Sequence, residues 1–166
     1  RRDDGVSQPS RTGTARLTNA QSALRSTLPG MHTTGPAPYF QFAGTARQAL
    51  EHWQRVFGGQ VQIATYADFS RTDGPADAVA HGQLTGELQL FAADASEGDT
   101  PFSATGLLFS LLGAAEPDVL RRWFDQLAEG GTVVDPLQQR PWGDWDGTVR
   151  DAFGVAWLIG FEDSAR

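Results

Sequence analysis

The 166-residue sequence contains no cysteine and no lysine. The absence of cysteine excludes a thiol nucleophile, a thiolate metal site and any disulfide. The absence of lysine excludes a Schiff-base lysine and the lysine of a phosphate-binding P-loop. All thirteen basic residues are therefore arginine, and the enrichment in arginine, alanine and glycine indicates a GC-rich bacterial genome.

Long hydrophobic runs are also missing. No segment approaches the roughly 18 consecutive apolar residues of a membrane-spanning helix, and the first residues lack the apolar core of a secretory signal. The chain nevertheless carries ten phenylalanines, five tryptophans and two tyrosines, and 40% of its residues are hydrophobic. We expect a soluble, cytoplasmic protein with one domain core and no membrane partner.

The net charge of −7 is distributed unevenly along the chain. Residues 1–30 carry five arginines against Asp3 and Asp4, which gives +3, so the remaining residues carry −10. An acidic body repels a phosphate backbone, which argues against a nucleic-acid partner and would favour a cationic ligand.

Residues 1–36 form a separate N-terminal extension that is polar and basic. Leu17, Ala20, Leu24 and Leu28 lie at near-helical spacing, which predicts one short helix. One hypothesis for the whole protein is a non-catalytic interaction module that uses this extension as its contact.

From Pro38 onward one pattern occurs twice. A short aromatic strand precedes a helix that begins at the capping-box segment TARQ and ends at paired glycines, and strand patterns follow. Leu50 and Trp53 match Leu120 and Trp123 at an offset of 70 residues. We therefore expect the two matching tryptophans in the core.

The two copies, about 38–94 and 105–162, both have the order strand, helix, strand, strand, strand. They predict an α+β domain over 37–163, in which two βαβββ repeats form a curved eight-stranded mixed sheet around a cleft. The helices lie on the outer face, because neither repeat can bury its own apolar sheet face and helix stripe alone.

The sequence resembles the vicinal oxygen chelate superfamily, which includes glyoxalase I and bleomycin-resistance proteins. Within that superfamily it is most similar to the PhnB-like branch. The resemblance rests on PYFQFAGTARQALEHWQRVFGG, on AHGQLTGELQLFAAD and on LAEGGTVVDPLQQRPWGDWDGTVRDAFGVAWLIGF. It implies a homodimer with a small-molecule cleft. Some PhnB-like proteins are labelled 3-demethylubiquinone-9 3-methyltransferase, but no glycine-rich nucleotide loop supports that activity here.

Metal-using members of the superfamily supply ligands from four strand positions, two per repeat. Those positions fall on Pro38 and Gln83 in the first repeat and near Leu107 and Leu158 in the second. One neutral amide among four ligand positions is too few for a divalent ion, so the resemblance implies a protein without a metal or other cofactor. A metal-dependent lyase, isomerase or dioxygenase, with His81 and Gln83 as ligands, remains the alternative.

The candidate ligand-binding residues come from strands and from one loop. His81 and Gln83 are two apart on a predicted strand and so share a face. Trp142 and Trp145 lie in the loop RPWGDWDG, which in the resembled fold runs over the mouth of the cleft, although they could equally seal an interface or the core. Three phenylalanines complete the predicted aromatic lining, namely Phe40, Phe42 and Phe109.

Other polar residues have simpler interpretations. Asp144 and Asp146 lie among glycines and are interpreted as turn residues without a chemical role. His52 lies off the apolar stripe of its helix and is expected to be solvated. The sequence therefore favours a protein that binds a small organic molecule in an aromatic-lined cleft, of the sequestration or resistance type, and does not decide whether any reaction is catalysed.

Overall fold

The computed structural model describes residues 36–162. The predicted helix of the N-terminal extension lies outside these residues. The first repeat contains five elements: β1 (Tyr39–Phe42), α1 (Ala46–Phe57), β2 (Gln60–Thr65), β3 (Val79–Thr85) and β4 (Leu90–Asp94). The second contains β5 (Phe109–Leu112), α2 (Pro117–Ala128), β6 (Thr132–Gln139), β7 (Trp145–Arg150) and β8 (Ala156–Phe161).

Each repeat builds its own four-stranded mixed sheet. Sheet A has the order β1-β4-β3-β2, and sheet B has the matching order β5-β8-β7-β6. In each sheet the first and last strands of the repeat pair in parallel and the other pairs are antiparallel. The predicted α+β class and the two βαβββ repeats are confirmed. The eight strands are divided between two hydrogen-bonded sheets, and the described strands form no closed barrel.

Helix α1 has the predicted apolar stripe but a different N-terminal cap. Thr45 makes no side-chain capping hydrogen bond. The first helical N–H, that of Ala46, instead donates to Asp94 Oδ1 at 2.9 Å, while the N–H of Val79 donates to Asp94 Oδ2 at 2.8 Å. The end of α1 is as predicted, because Gly58 has a φ of 74°, which glycine adopts without strain.

A glycine on β3 fixes which side of sheet A faces α1. A Cβ added to Gly82 would lie 2.3 Å from Cδ1 of Leu50, so Gly82 faces the helix. Side chains alternate along a strand. His81 and Gln83 therefore point to the opposite face of sheet A.

One hydrophobic core joins the two repeats through the helices and the helix-facing sides of both sheets. The rings of Phe57 and Trp123 lie 5.1 Å apart, and those of Trp53 and Trp157 lie 6.2 Å apart. Trp53 is fully buried and Trp123 is 4% exposed. The predicted core role of both helical tryptophans is confirmed.

Strand β6 continues through Pro136 to Gln139. The register shifts between Asp135 and Gln138, and such an irregularity is where a strand tolerates proline. The connection that follows is correspondingly short, and Trp145 is the first residue of β7 instead of a loop residue.

Candidate functional site

The face of sheet A that points away from α1 carries one row of paired side chains. Tyr39 on β1 lies opposite Phe91 on β4, Phe91 lies opposite Gln83 on β3, and Gln83 lies opposite Gln62 on β2. Directly opposite residues share a face of the sheet. His81 lies on the same face, two residues before Gln83.

His81 is buried and hydrogen bonded at one ring nitrogen only. Its Nδ1 lies 3.2 Å from the hydroxyl of Tyr39, and the side chain is 6% exposed. Burial lowers the pKa of His81, and desolvation raises the pKa of Tyr39, which outweighs an opposing effect of the Arg71 charge. Both groups are therefore neutral near pH 7.

Gln83 is also only partly satisfied. It is 2% exposed, and its Nε2 donates to Oε1 of Gln62 at 2.8 Å. Nε2 of His81 and Oε1 of Gln83 are both buried and have no hydrogen-bond partner. Buried polar atoms in native proteins nearly always have a hydrogen-bond partner, so two unpartnered atoms on one face of a strand are unusual.

Aromatic rings flank these two atoms. The Tyr39 and Phe91 rings are stacked at 6.0 Å with an interplanar angle of 12°, and the His81 ring lies 5.6 Å from that of Phe91. Tyr39 is 49% exposed, whereas Phe91 is buried. The site is thus apolar on its flank and reaches solvent beside Tyr39.

The structure places the predicted phenylalanines elsewhere. Phe40 and Phe42 are buried on the helix side of sheet A, with ring centroids 5.1 and 6.0 Å from that of Trp53. Phe109 packs against Phe40 and Trp157 at 5.5 and 5.6 Å. These three rings belong to the inter-repeat core and do not share the face of His81 and Gln83.

The two tryptophans that the sequence placed in a loop lie in the second repeat. Trp145 stacks on Phe161 at 6.1 Å, and the guanidinium of Arg121 on α2 lies 4.1 Å from the Trp145 ring centroid. Trp145 therefore faces α2. Trp142 is 59% exposed in the turn between β6 and β7. Of the predicted binding residues, His81 and Gln83 thus share one face of sheet A, whereas the five aromatic residues lie elsewhere.

A buried carboxylate that the sequence reasoning missed joins the two repeats. Asp151 is 3% exposed, and its Oδ2 accepts hydrogen bonds from the indole N–H groups of Trp53 at 2.9 Å and Trp157 at 3.0 Å. Its Oδ1 accepts from the backbone N–H groups of Phe153 and Val155, both at 2.9 Å. Four donors satisfy this group, so its role is structural.

His52 is buried beside this carboxylate, and the expectation that it is solvated was wrong. The side chain is 6% exposed and its ring centroid lies 5.7 Å from that of Phe153. Burial lowers the pKa of His52, while the charge of Asp151 acts in the opposite direction. The helical pattern misplaced His52 because the turn after β7 covers a side of α1 that the apolar stripe does not reveal.

The chain is similar to known proteins of one superfamily. A family model of the Glyoxalase/Bleomycin resistance protein/Dioxygenase superfamily matches residues 32–159. The chain belongs to this superfamily. Protein YjdN of Escherichia coli (strain K12) is 27% identical over 138 residues, which cover 74% of this chain and 92% of YjdN.

Two solved structures show the same fold. Protein PA1353 of Pseudomonas aeruginosa is 29% identical, with a TM-score of 0.65, over 78% of this chain and 98% of that protein. A PhnB protein of Bacillus cereus, described as a 3-demethylubiquinone-9 3-methyltransferase, is 21% identical, with a TM-score of 0.63, over 76% and 98%. The predicted superfamily is confirmed and its structural neighbours include a PhnB protein. At 21% identity the latter shows the fold alone.

The residues that the resemblance assigns to metal-ligand positions do not fit a divalent ion. Pro38 and Leu107 lie before β1 and β5, outside the strands, and Leu158 on β8 is aliphatic. Gln83 offers one neutral amide oxygen, which brings no charge to a divalent ion. Within residues 36–162, no three His, Cys, Asp or Glu side chains come together in a group that could hold a metal.

No helix in the described part of the chain is long and apolar enough to cross a membrane. The cytoplasmic location expected from the sequence stays a prediction.

Proposed function

We propose that this protein binds a small organic molecule, without a metal, on the face of sheet A that points away from α1. The supporting observation is the pair of buried, unpartnered atoms, Nε2 of His81 and Oε1 of Gln83. An unsatisfied buried donor or acceptor costs about 1–3 kcal/mol. A ligand that hydrogen bonds to both atoms would recover that free energy on binding.

The chemistry of the site favours binding of the sequestration or resistance type over catalysis. The site provides aromatic rings and neutral hydrogen-bonding groups, which belong to Tyr39, Phe91, His81, Gln62 and Gln83. Stacking, shape and a few polar contacts are sufficient to retain a ligand. Tyr39 and Phe91 take the aromatic role that the sequence assigned to Phe40, Phe42, Phe109, Trp142 and Trp145.

Native mass spectrometry of the protein after incubation with a bacterial metabolite extract tests this proposal. The parent chain should retain at least one organic adduct, and Gln83→Met should lose it. His52→Phe is the matched control, because His52 is also buried with an unpartnered Nε2 but lies on α1. An adduct retained equally by Gln83→Met would contradict the site. A stoichiometric divalent ion in elemental analysis that is lost on His81→Phe would instead favour the metal-dependent enzyme.

We further propose that the protein forms a homodimer through the edge of sheet B at β5. Edge strands present unpaired backbone groups. Three leucines in β5 or directly before it are about half exposed, Leu107 at 50%, Leu108 at 45% and Leu112 at 55%. Leu112→Asp should shift the particle mass towards the monomer in analytical ultracentrifugation. Val134→Asp, on the opposite edge strand β6 and 58% exposed, should leave the mass unchanged. Equal masses for the parent and Leu112→Asp would reject this interface.

A further inference from the structure

The orientation of the hydrogen bonds in the candidate site indicates which chemical group it accepts. Gln83 donates through Nε2 to Gln62, so the atom left over is the carbonyl oxygen Oε1. An amide oxygen is an acceptor only. The ligand atom that meets Gln83 must therefore carry a hydrogen.

His81 presents the complementary atom. The phenol of Tyr39 is neutral and lies 3.2 Å from Nδ1. A phenolic O–H that donates to Nδ1 fixes the imidazole proton on Nε2, which then becomes a donor. With the phenol as donor, the ligand atom that meets His81 is an acceptor.

The surroundings favour a neutral, planar group. The rings of Tyr39, Phe91 and His81 all lie within 6.0 Å of one another, between centroids. Arg71 acts electrostatically on Tyr39, but its guanidinium is held by Asp73 and Ser96. An ion in this site would lose its hydration without gaining a charged partner, which is costly.

We propose that this site selects an uncharged planar ligand whose edge carries a hydrogen-bond acceptor beside a donor, as in an aromatic lactam or carboxamide. The acceptor meets Nε2 of His81 and the donor meets Oε1 of Gln83. This inference rests on the proposed small-molecule function. It departs from the cationic ligand that the acidic net charge suggested, because long-range charge steers a ligand whereas the site atoms select it.

Four bicyclic probes of similar size test the proposal by NMR titration of the full chain. Carbostyril carries the lactam edge, N-methylcarbostyril lacks the donor, naphthalene lacks both groups and N-methylquinolinium is a cation. Carbostyril should shift the His81 ring and Gln83 side-chain signals. N-methylation should weaken binding about tenfold or more, because it leaves the Gln83 oxygen buried without a partner.

Variants separate recognition from folding. Gln83→Met should bind carbostyril and its N-methyl derivative equally, whereas His52→Phe should keep the parent preference. The parent chain also gives a readout without any ligand, since the ring nitrogen shifts of His81 report its tautomer. A proton on Nδ1 instead of Nε2 would overturn the donor assignment.

The remaining outcomes distinguish this inference from the function on which it rests. If N-methylquinolinium or N-methylcarbostyril shifts the same signals as strongly as carbostyril, the site binds small molecules but the proposed selectivity is wrong. If no probe shifts His81 or Gln83, while the metabolite adduct described above is also absent, both proposals fail.

Discussion

Replacement of Asp151 by asparagine tests how the two repeats are held together. The carboxylate accepts four buried hydrogen bonds, two from indoles and two from backbone N–H groups. An asparagine of the same shape keeps one acceptor oxygen and turns an NH₂ group towards the other two donors. Since hydrogen bonds to a charged group contribute about 1.5–3 kcal/mol each, we expect Asp151→Asn to lower the free energy of unfolding by about 3–6 kcal/mol.

That loss is a large fraction of the about 5–15 kcal/mol by which ordinary domains are stable. Urea unfolding followed by far-UV circular dichroism measures it without relying on tryptophan emission. Asp125→Asn is the matched control, because Asp125 is exposed on α2, and its effect should stay within about 0.5 kcal/mol.

A double-mutant cycle then separates the Trp53 hydrogen bond from other effects. Trp53→Phe should cost less in the Asp151→Asn background than in the parent chain, because the bond to Oδ2 is already weakened. Additive costs, or a loss below about 1 kcal/mol for Asp151→Asn alone, would refute the view that this carboxylate is a principal link between the repeats.

Two further predictions concern backbone packing and pH. Gly59→Ala should destabilise the protein by more than Gly44→Ala, because both glycines have positive φ (88° and 85°) but only the Gly59 Cβ would meet an atom, the carbonyl oxygen of Thr85 at 2.4 Å. Equal unfolding midpoints in urea would contradict this contact. Burial lowers the pKa of His52 and His81 below the ordinary histidine value of about 6.5, so the unfolded state binds more protons below that pH. Stability should therefore fall as the pH drops below 6.5, and the double variant His52→Phe, His81→Phe should flatten that dependence in urea titrations at several pH values.

The repeat architecture was predictable because its signals are local. Leu50 and Trp53 recur as Leu120 and Trp123 at helical spacing, and all four are buried where the pattern placed them. Paired glycines mark the ends of both helices in the sequence. Hydrophobic spacing and turn chemistry need no knowledge of distant partners.

The sequence also indicates on which face of a strand each side chain lies. The prediction of the aromatic cleft lining did not use this information. Side chains along β1 alternate between the two faces of the sheet, so Phe40 and Phe42 share one face and Tyr39 and Gln41 share the other. The more apolar face of a strand is expected to pack against the core. Phe40 and Phe42 accordingly pack on Trp53, and the more polar face of the strand points towards the candidate site.

Interactions between distant residues could not be found in this way. Trp53 and Asp151 are 98 residues apart, and Asp94 caps a helix 48 residues away in place of Thr45. A local capping box competes with any acceptor that tertiary structure brings to the same N–H. A short segment of sequence, of the length over which helix and strand patterns are read, does not contain both partners.

The two repeats share a topology but differ in the chemistry of the faces that point away from their helices. In sheet A that face carries the unpartnered atoms of His81 and Gln83. In sheet B Leu158 lies opposite Ser110 and Thr148, and the carboxylate of Asp146 is already bonded to Arg140. Sheet B offers no second buried orphan there among the described residues. Metal-using members of the superfamily that the sequence resembles take ligands from both repeats, whereas polar contacts on one side can hold a neutral molecule. The observed asymmetry therefore fits an organic ligand held by its polar edge on sheet A.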